Sequence, residues 1–182
     1  MSSASTDAEQ IFLERFRWVD GHADFSRVWF DRRFIEAIGP ALTVPFADRG
    51  ITAVVGVEAR GFVLGALCAS TLNIGLVLAR KSGSVNPGNP IKVTSNPDWR
   101  GRQLTFEVQP LLTAADRVLI VDDWIETGSQ ATAIADAVAT IGAEVCGVSV
   151  IVDQCSDDTR RTLNVCGLVC SDQLPPHESI DS

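Results

Sequence analysis

The stretch that decides the fold reads Val118-Leu-Ile-Val121, Asp122-Asp123, Trp124-Ile125, then Glu126-Thr127-Gly128-Ser129-Gln130. Four consecutive apolar residues, mostly β-branched, read as a strand covered on both faces, because a half-exposed strand would alternate with polar residues. The strand is expected to stop at the two carboxylates. A small-residue turn follows, then a helix over Ala131 to Ile141, where Ile134, Val138 and Ile141 recur at helical spacing and Gly142 marks the stop. The backbone N–H groups of such a turn, with the helix start behind them, make a pocket for an anion such as a phosphate monoester. The aspartates lie at the carboxyl end of the strand, where open parallel sheets bind ligands. There they accept hydrogen bonds from sugar hydroxyls or face a divalent cation. The plainer alternative is a capped strand-to-helix turn without a ligand.

Outward from this unit, Ile51 to Val57 reads as a second buried strand, Glu58-Ala59-Arg60-Gly61 as a turn, and Phe62 to Leu72 as a helix. A short strand, Leu76 to Ala79, then ends at Arg80-Lys81. Strand, helix, strand at this spacing is a right-handed crossover unit, so the chain is expected to be α/β with a doubly wound, mostly parallel central sheet flanked by helices. Further strands are expected over 103–108, 143–152 and 162–169, with a turn over 110–116.

Residues 1–9 read as disordered, 11–19 as a short helical piece, His22 to Phe25 as a loop, and 31–48 as a helix that Pro40 and Pro45 interrupt. Trp18 and Trp29 lie in this aromatic first block, where aromatic faces suit core packing or stacking on a planar base. Residues 82–101 are rich in Ser, Gly, Asn and Pro and read as structureless, either a lid or flexible solvated charge. The segment from Pro175 onward reads as frayed.

At 182 residues, 46% of them hydrophobic, the chain suits one domain with a sizeable core. No apolar run is long enough to span a bilayer, and the polar start lacks a secretory pattern, so a cytoplasmic protein is expected. Five cysteines, Cys68, Cys146, Cys155, Cys166 and Cys170, contain no Cys-x-x-Cys pair and are read as reduced thiols; His22 and His177 are too few to complete a metal site with Cys166 and Cys170, which are read as small core residues. A net charge of −8 weighs against nucleic-acid or anionic-membrane partners.

Residues 118–130 resemble the phosphoribosyl diphosphate (PRPP) signature of type I phosphoribosyltransferases. Val55-Gly-Val-Glu-Ala-Arg-Gly-Phe62 and Ala79-Arg-Lys-x-Gly83 resemble the adenine branch of that family. The resemblance covers 51 to about 153 and implies a small N-terminal hood (1–50), a core (51–170) with a flexible lid (82–102), and a tail (171–182). It implies transfer of ribose 5-phosphate from PRPP to a nucleobase, most similar to purine transfer, with release of pyrophosphate and inversion at the anomeric carbon. In that mapping Asp122 and Asp123 hold the ribose, with Mg²⁺ reaching them through PRPP. Glu126, Thr127, Gly128, Ser129 and Gln130 cradle the 5′-phosphate. Glu58, Ala59, Arg60, Gly61, Arg80 and Lys81 meet the pyrophosphate, with Arg60 acting on the leaving group. Arg100 and Arg102 then reach the pyrophosphate from the lid, and Trp99 shields it. A homodimer is common in the family.

Several departures leave the base open. Gln130 replaces a threonine of the adenine branch, the chain has no tyrosine for the lid, and residues 21–27 replace the adenine-holding run. Glu126 stands where that branch has alanine and the hypoxanthine-guanine and xanthine branches have an aspartate handling the proton on purine N7. It is therefore either a catalytic proton carrier or a solvated glutamate at a helix start. The resemblance also admits a non-catalytic PRPP sensor on the same fold.

Overall fold

The computed structural model describes residues 3–83, 85–97 and 101–176, so the lid residues Trp99 and Arg100 and the end of the tail from His177 lie outside the described residues. A seven-stranded sheet forms the middle layer. Its strands are β3 (Ala53–Val57), β4 (Gly75–Lys81), β5 (Ile91–Thr94), β6 (Thr105–Val108), β7 (Arg117–Ile125), β8 (Glu144–Asp153) and β9 (Val165–Cys170), in the order β5-β6-β4-β3-β7-β8-β9. β4, β3, β7, β8 and β9 run parallel, and β6 and β5 close one edge antiparallel. Doubly wound, mostly parallel topology is thus as expected.

The helices cover both faces because the central strands are apolar on both. Val118 and Ile120 of β7 pack with Ile134, Ala137 and Val138 of α5 (Ser129–Ile141). Leu119 and Val121 pack on the other face with Leu64 and Cys68 of α4 (Arg60–Leu72) and with Phe34 and Ile38 of α3 (Arg32–Thr43). β3 hands the chain outward through α4 to β4, and β7 hands it the other way through α5 to β8. The carboxyl ends of β3 and β7 therefore flank a topological switch point, the place where open sheets hold ligands.

Several expectations need correction. Residues 3–9 are not disordered: they belong to α1 (Ser3–Arg15), which buries Ala8, Ile11 and Phe12. That one-sided burial against α3 offsets the entropy of ordering the terminus. The helical piece does not reach Val19. β1 (Arg17–Val19) and β2 (His22–Asp24) form a hairpin instead of a loop, turning on Asp20 and Gly21, both at positive φ. Asp-Gly is a recognised two-residue hairpin signal that the helical reading overrode. A short helix, α2 (Ser26–Phe30), follows, and α3 passes through Pro40 before ending at Thr43, ahead of Pro45.

β7 does not stop at the carboxylates. Asp122, Trp124 and Ile125 stay in register with Val150, Val152 and Asp153 because β8 is long enough to pair them. The segment read as structureless contains β5, whose Ile91 and Val93 pack inward while Lys92 bonds Glu107 at 3.0 Å. Residues 157–163 form α6 (Asp157–Leu163), capped by Ser156, so the last strand starts only at Val165. All five cysteines are free, but Cys166 is half-buried and Cys170 is exposed, so Cys170 is no core residue. Among the described residues no helix is long and apolar enough to cross a membrane.

The turn into α4 lies directly on the sheet. A Cβ on Gly56 would stand 2.5 Å from the Gly61 carbonyl oxygen, and one on Gly61 2.6 Å from the Val121 carbonyl oxygen. Both obstacles are backbone, so neither yields cheaply. Gly61→Ala is expected to lower unfolding free energy by about 1–3 kcal/mol, the usual cost of overpacking, measured by urea denaturation; an unchanged midpoint would refute this close packing.

Candidate active site

A cavity of about 740 Å³ opens at the switch point. Three loops reach it from three neighbouring strands, and each is placed by a local reason.

The first is the turn after β3. Glu58, Ala59 and Arg60 line the cavity, and the Glu58–Ala59 peptide is cis. Glu58 Oε2 accepts the Lys81 backbone N–H at 2.7 Å, tying this turn to the end of β4. Arg60 donates from Nη1 to Asp123 Oδ2 at 2.6 Å, with its guanidinium carbon 4.6 Å from the centre of the Phe25 ring. Gly61 lies beneath the turn and does not line the cavity; its part is the close approach to β7.

The second is the end of β4. Lys81 lines the cavity, but Arg80 does not. Arg80 Nη1 instead donates to the Val85 carbonyl at 3.2 Å, under the segment that follows.

The third is residues 122–130. Asp122 Oδ1 accepts the backbone N–H of Asp123 at 2.8 Å. Thr127 Oγ1 accepts from the Ser129 N–H at 3.3 Å and bonds Ser129 Oγ at 3.0 Å, which curls the loop. Gly128 sits at φ 75°, and a Cβ there would stand 2.5 Å from Thr159 Cγ2 on α6. A glycine is required both by the backbone angle and by the helix packed behind it. Beyond the Thr127 bond to the Ser129 N–H no side chain caps α5, so the remaining N–H groups of its first turn are left to meet an anion. Glu126, Ser129 and Gln130 line the same cavity, and so does Arg102 from the lid.

α6 is braced where it backs this loop. Arg160 Nε donates to Asp153 Oδ2 at 2.7 Å and Nη2 to the Cys155 carbonyl at 3.0 Å. Burial pushes the Asp153 carboxyl up, but the bonds from Arg160 and Cys155 outweigh it and hold it below the ordinary range.

One stretch of wall escaped the sequence reading. Trp18 of β1, Ala23 of β2, Trp124 and Gln154 line the cavity. The indoles of Trp18 and Trp124 lie 6.0 Å apart at 60°, and Phe16 packs behind both. Trp18 Nε1 donates to the Pro175 carbonyl at 2.9 Å, which ties the chain after β9 to β1. Of the other aromatics in residues 1–50, Phe12, Phe16, Phe25, Phe34 and Phe46 are core, whereas Trp29 is half-buried and Phe30 is exposed. Nothing in the sequence spacing joins Trp18 to Trp124; only the hairpin does.

Burial is the main cause that pushes the Asp122 carboxyl well above the usual carboxylate range. The negative charge of Asp123 adds to it, and Lys81 acts the other way. Two neighbouring carboxylates of which one resists ionising form a site that a cation or hydroxyl donors would complete. Among the described residues no group of three or more acidic, cysteine or histidine side chains stands ready for a metal. The donor set therefore fits Mg²⁺ that brings most of its ligands with a phosphorylated substrate, and not a metal caged by protein alone.

The chain matches the phosphoribosyl transferase domain over residues 41–166. It is 35% identical over 155 residues to an adenine phosphoribosyltransferase of Streptomyces coelicolor, covering 81% of this chain and 84% of the relative. It is 28% identical to a xanthine phosphoribosyltransferase of Streptococcus pyogenes, over 76% of this chain and 72% of the relative. Among solved structures, Saccharomyces cerevisiae adenine phosphoribosyltransferase in complex with an imino-altritol bisphosphate and adenine superposes with a TM-score of 0.76. The superposition covers 90% of this chain and 99% of that one at 27% identity.

The folded protein holds the Asp122 proton more tightly than the unfolded chain does. The group's contribution to stability is therefore full below the ordinary aspartate pKa of about 4 and is lost as pH climbs through the raised value. Asp122→Asn keeps the shape and the acceptor for the Asp123 N–H. Its thermal midpoint is expected to exceed the parent's at about pH 8 and to converge with it near about pH 4. Equal midpoints across this range would contradict a raised carboxyl.

Proposed function

The chain belongs to the phosphoribosyltransferase family, and we propose that it is a purine phosphoribosyltransferase working at the β3/β7 switch point. It is a glycosyltransferase that moves ribose 5-phosphate from PRPP to a purine and releases pyrophosphate. The single observation that carries this reading is the convergence of the three strand-end loops, Glu58 to Arg60, Lys81 and Asp122 to Gln130, on one cavity.

In this reading the 5′-phosphate lies on the 127–130 loop at the start of α5, held by backbone N–H groups and by the hydroxyls of Thr127 and Ser129. Asp122 and Asp123 accept from the ribose hydroxyls. Gly61 positions the turn, and Arg60, Lys81 and Arg102 surround the pyrophosphate. Breaking the anomeric C–O bond leaves positive charge on the sugar and negative charge on the leaving oxygen, so cations fixed around that oxygen lower the barrier. Arg80 is left out of this shell by its orientation. Mg²⁺ bound with PRPP would neutralise charge on the pyrophosphate, with Asp122 and Asp123 as the acids nearest to hold it.

Arg60 and Asp123 satisfy each other without substrate. PRPP is expected to divide this pair, drawing the guanidinium to the pyrophosphate and leaving the carboxylate to the ribose. Trp18 and Trp124 offer flat apolar surface for the base, and Glu126 stands beside the phosphate loop as the proton acceptor. Residues 1–50 serve as a hood over the core of 51–170, and 82–102 serve as the lid, whose β5 pairs with β6 of the core. Free thiols suit a reducing cytoplasm. A homodimer belongs to the same reading, with Val63 of α4 and Leu78 of β4 exposed to meet a second copy.

Two measurements test this function. Pyrophosphate release from PRPP and Mg²⁺ is expected with a purine and not with uracil or orotate; tight PRPP binding without release for any base would make the protein a sensor. Glu126→Ala is expected to lower turnover by about 10²–10⁴-fold, the range of general acid-base catalysis, with far less effect on PRPP affinity by calorimetry. Equal losses in both would reduce Glu126 to a loop residue.

A further inference from the structure

Phe30, the last residue of α2, is 93% exposed, more than any other large apolar side chain among the described residues, although Phe25 and Phe34 on either side of it in sequence are core. Arg27 and Arg32 are exposed beside it and line one concavity with it. A bare ring between two guanidinium groups has the composition of an interface centre, where aromatic residues and arginine are enriched.

The same face holds a receptor for such a knob. Arg15 at the end of α1 donates to Asp31, at the start of α3, at 3.1 Å. The two helices therefore run antiparallel, and a groove of about 480 Å³ lies between them. Ile11 is buried and Ala37 half-buried in its lining, whereas Asp7, Glu14 and Glu36 are exposed, so the floor is apolar and the rim acidic. Arg33, the cation of this lining, is already bonded to Asp31 at 2.7 Å.

We propose that a second copy of this chain docks on this face about a two-fold axis, with Phe30 of each copy in the α1/α3 groove of the other. Knob and groove adjoin through Asp31, which lines the first concavity and holds the Arg33 of the second. A two-fold axis between them makes the contact twice. The charges agree with that register, because Arg27 and Arg32 of one copy meet the Asp7, Glu14 and Glu36 rim of the other. Arg32 has to release Glu36 of its own chain, 2.8 Å away, but that pair is 87% and 58% exposed and is held weakly. A partner of one sign would match half of this face and be repelled by the rest; a second copy matches both halves. The contact uses α1, α2 and α3, and so is distinct from one through Val63 of α4 and Leu78 of β4.

Sedimentation velocity of the full chain over a range of concentrations tests the proposal. Phe30→Asp is expected to raise the dissociation constant at least about tenfold, taking dimer to monomer, or tetramer to dimer where Val63 and Leu78 hold a second contact. Glu14→Arg, which repels the incoming arginines, is expected to weaken association in the same direction. Both positions are exposed, so the circular dichroism spectra of the two variants are expected to match the parent's. Mixing the variants decides the pairing. The Phe30→Asp copy keeps its acidic groove for the knob of the Glu14→Arg copy, and at the other contact the introduced aspartate and arginine attract, so the mixture is expected to associate more tightly than either variant alone. Equal sedimentation of the parent and Phe30→Asp at every concentration, or a mixture no more associated than its components, overturns the proposal.

Discussion

Backbone lies on backbone where α4 starts over the ends of β3 and β7, and the rest of the site depends on that approach. Gly56 and Gly61 leave no Cβ between the turn and the sheet. Arg60, one residue earlier, is thereby brought to Asp123 on the neighbouring strand at 2.6 Å. A bulkier turn would lift Arg60 and Glu58 away from β7 and pull two walls of the cavity apart. A second approach of the same kind, Gly128 under Thr159, sets the 127–130 loop on α6, which the Arg160–Asp153 pair braces.

Around this frame the charges form a local pattern that the global charge hides. The chain carries −8 overall, yet Arg60, Lys81 and Arg102 converge on one cavity beside an acid pair. Desolvation leaves Asp122 reluctant to ionise. A neutral side chain at this position therefore suits the fold better than a carboxylate does.

The parts of the chain that could be read correctly were those where one local rule acts alone. The apolar runs at 53–57 and 118–121 are strands because burial on both faces leaves no other economical structure. Loops at their ends line the cavity because an open sheet leaves a crevice at its switch point. The misread parts were those where a distant partner decides. The start of α1 is ordered by α3, β7 continues past its carboxylates because β8 runs alongside, and β5 exists because β6 and α5 receive it. Asp20-Gly21 was a legible hairpin signal, overridden by apolar spacing that suited a helix as well.

Residue order within 55–62 and 118–130 determined the α/β core, the acid pair, the phosphate loop and the chemistry they imply, because each is a contiguous strand end whose neighbours in sequence are also its neighbours in space. Tertiary structure alone decided which members of these motifs share the cavity. Arg80 bonds the Val85 carbonyl outside the cavity that Lys81 lines, close packing made Gly61 a spacer instead of a contact, and the β1–β2 hairpin brought Trp18 to Trp124. The fold also laid α1 against α3 around a groove, since the Arg15–Asp31 contact that fixes their direction joins residues sixteen positions apart and no sequence spacing encodes which helices meet.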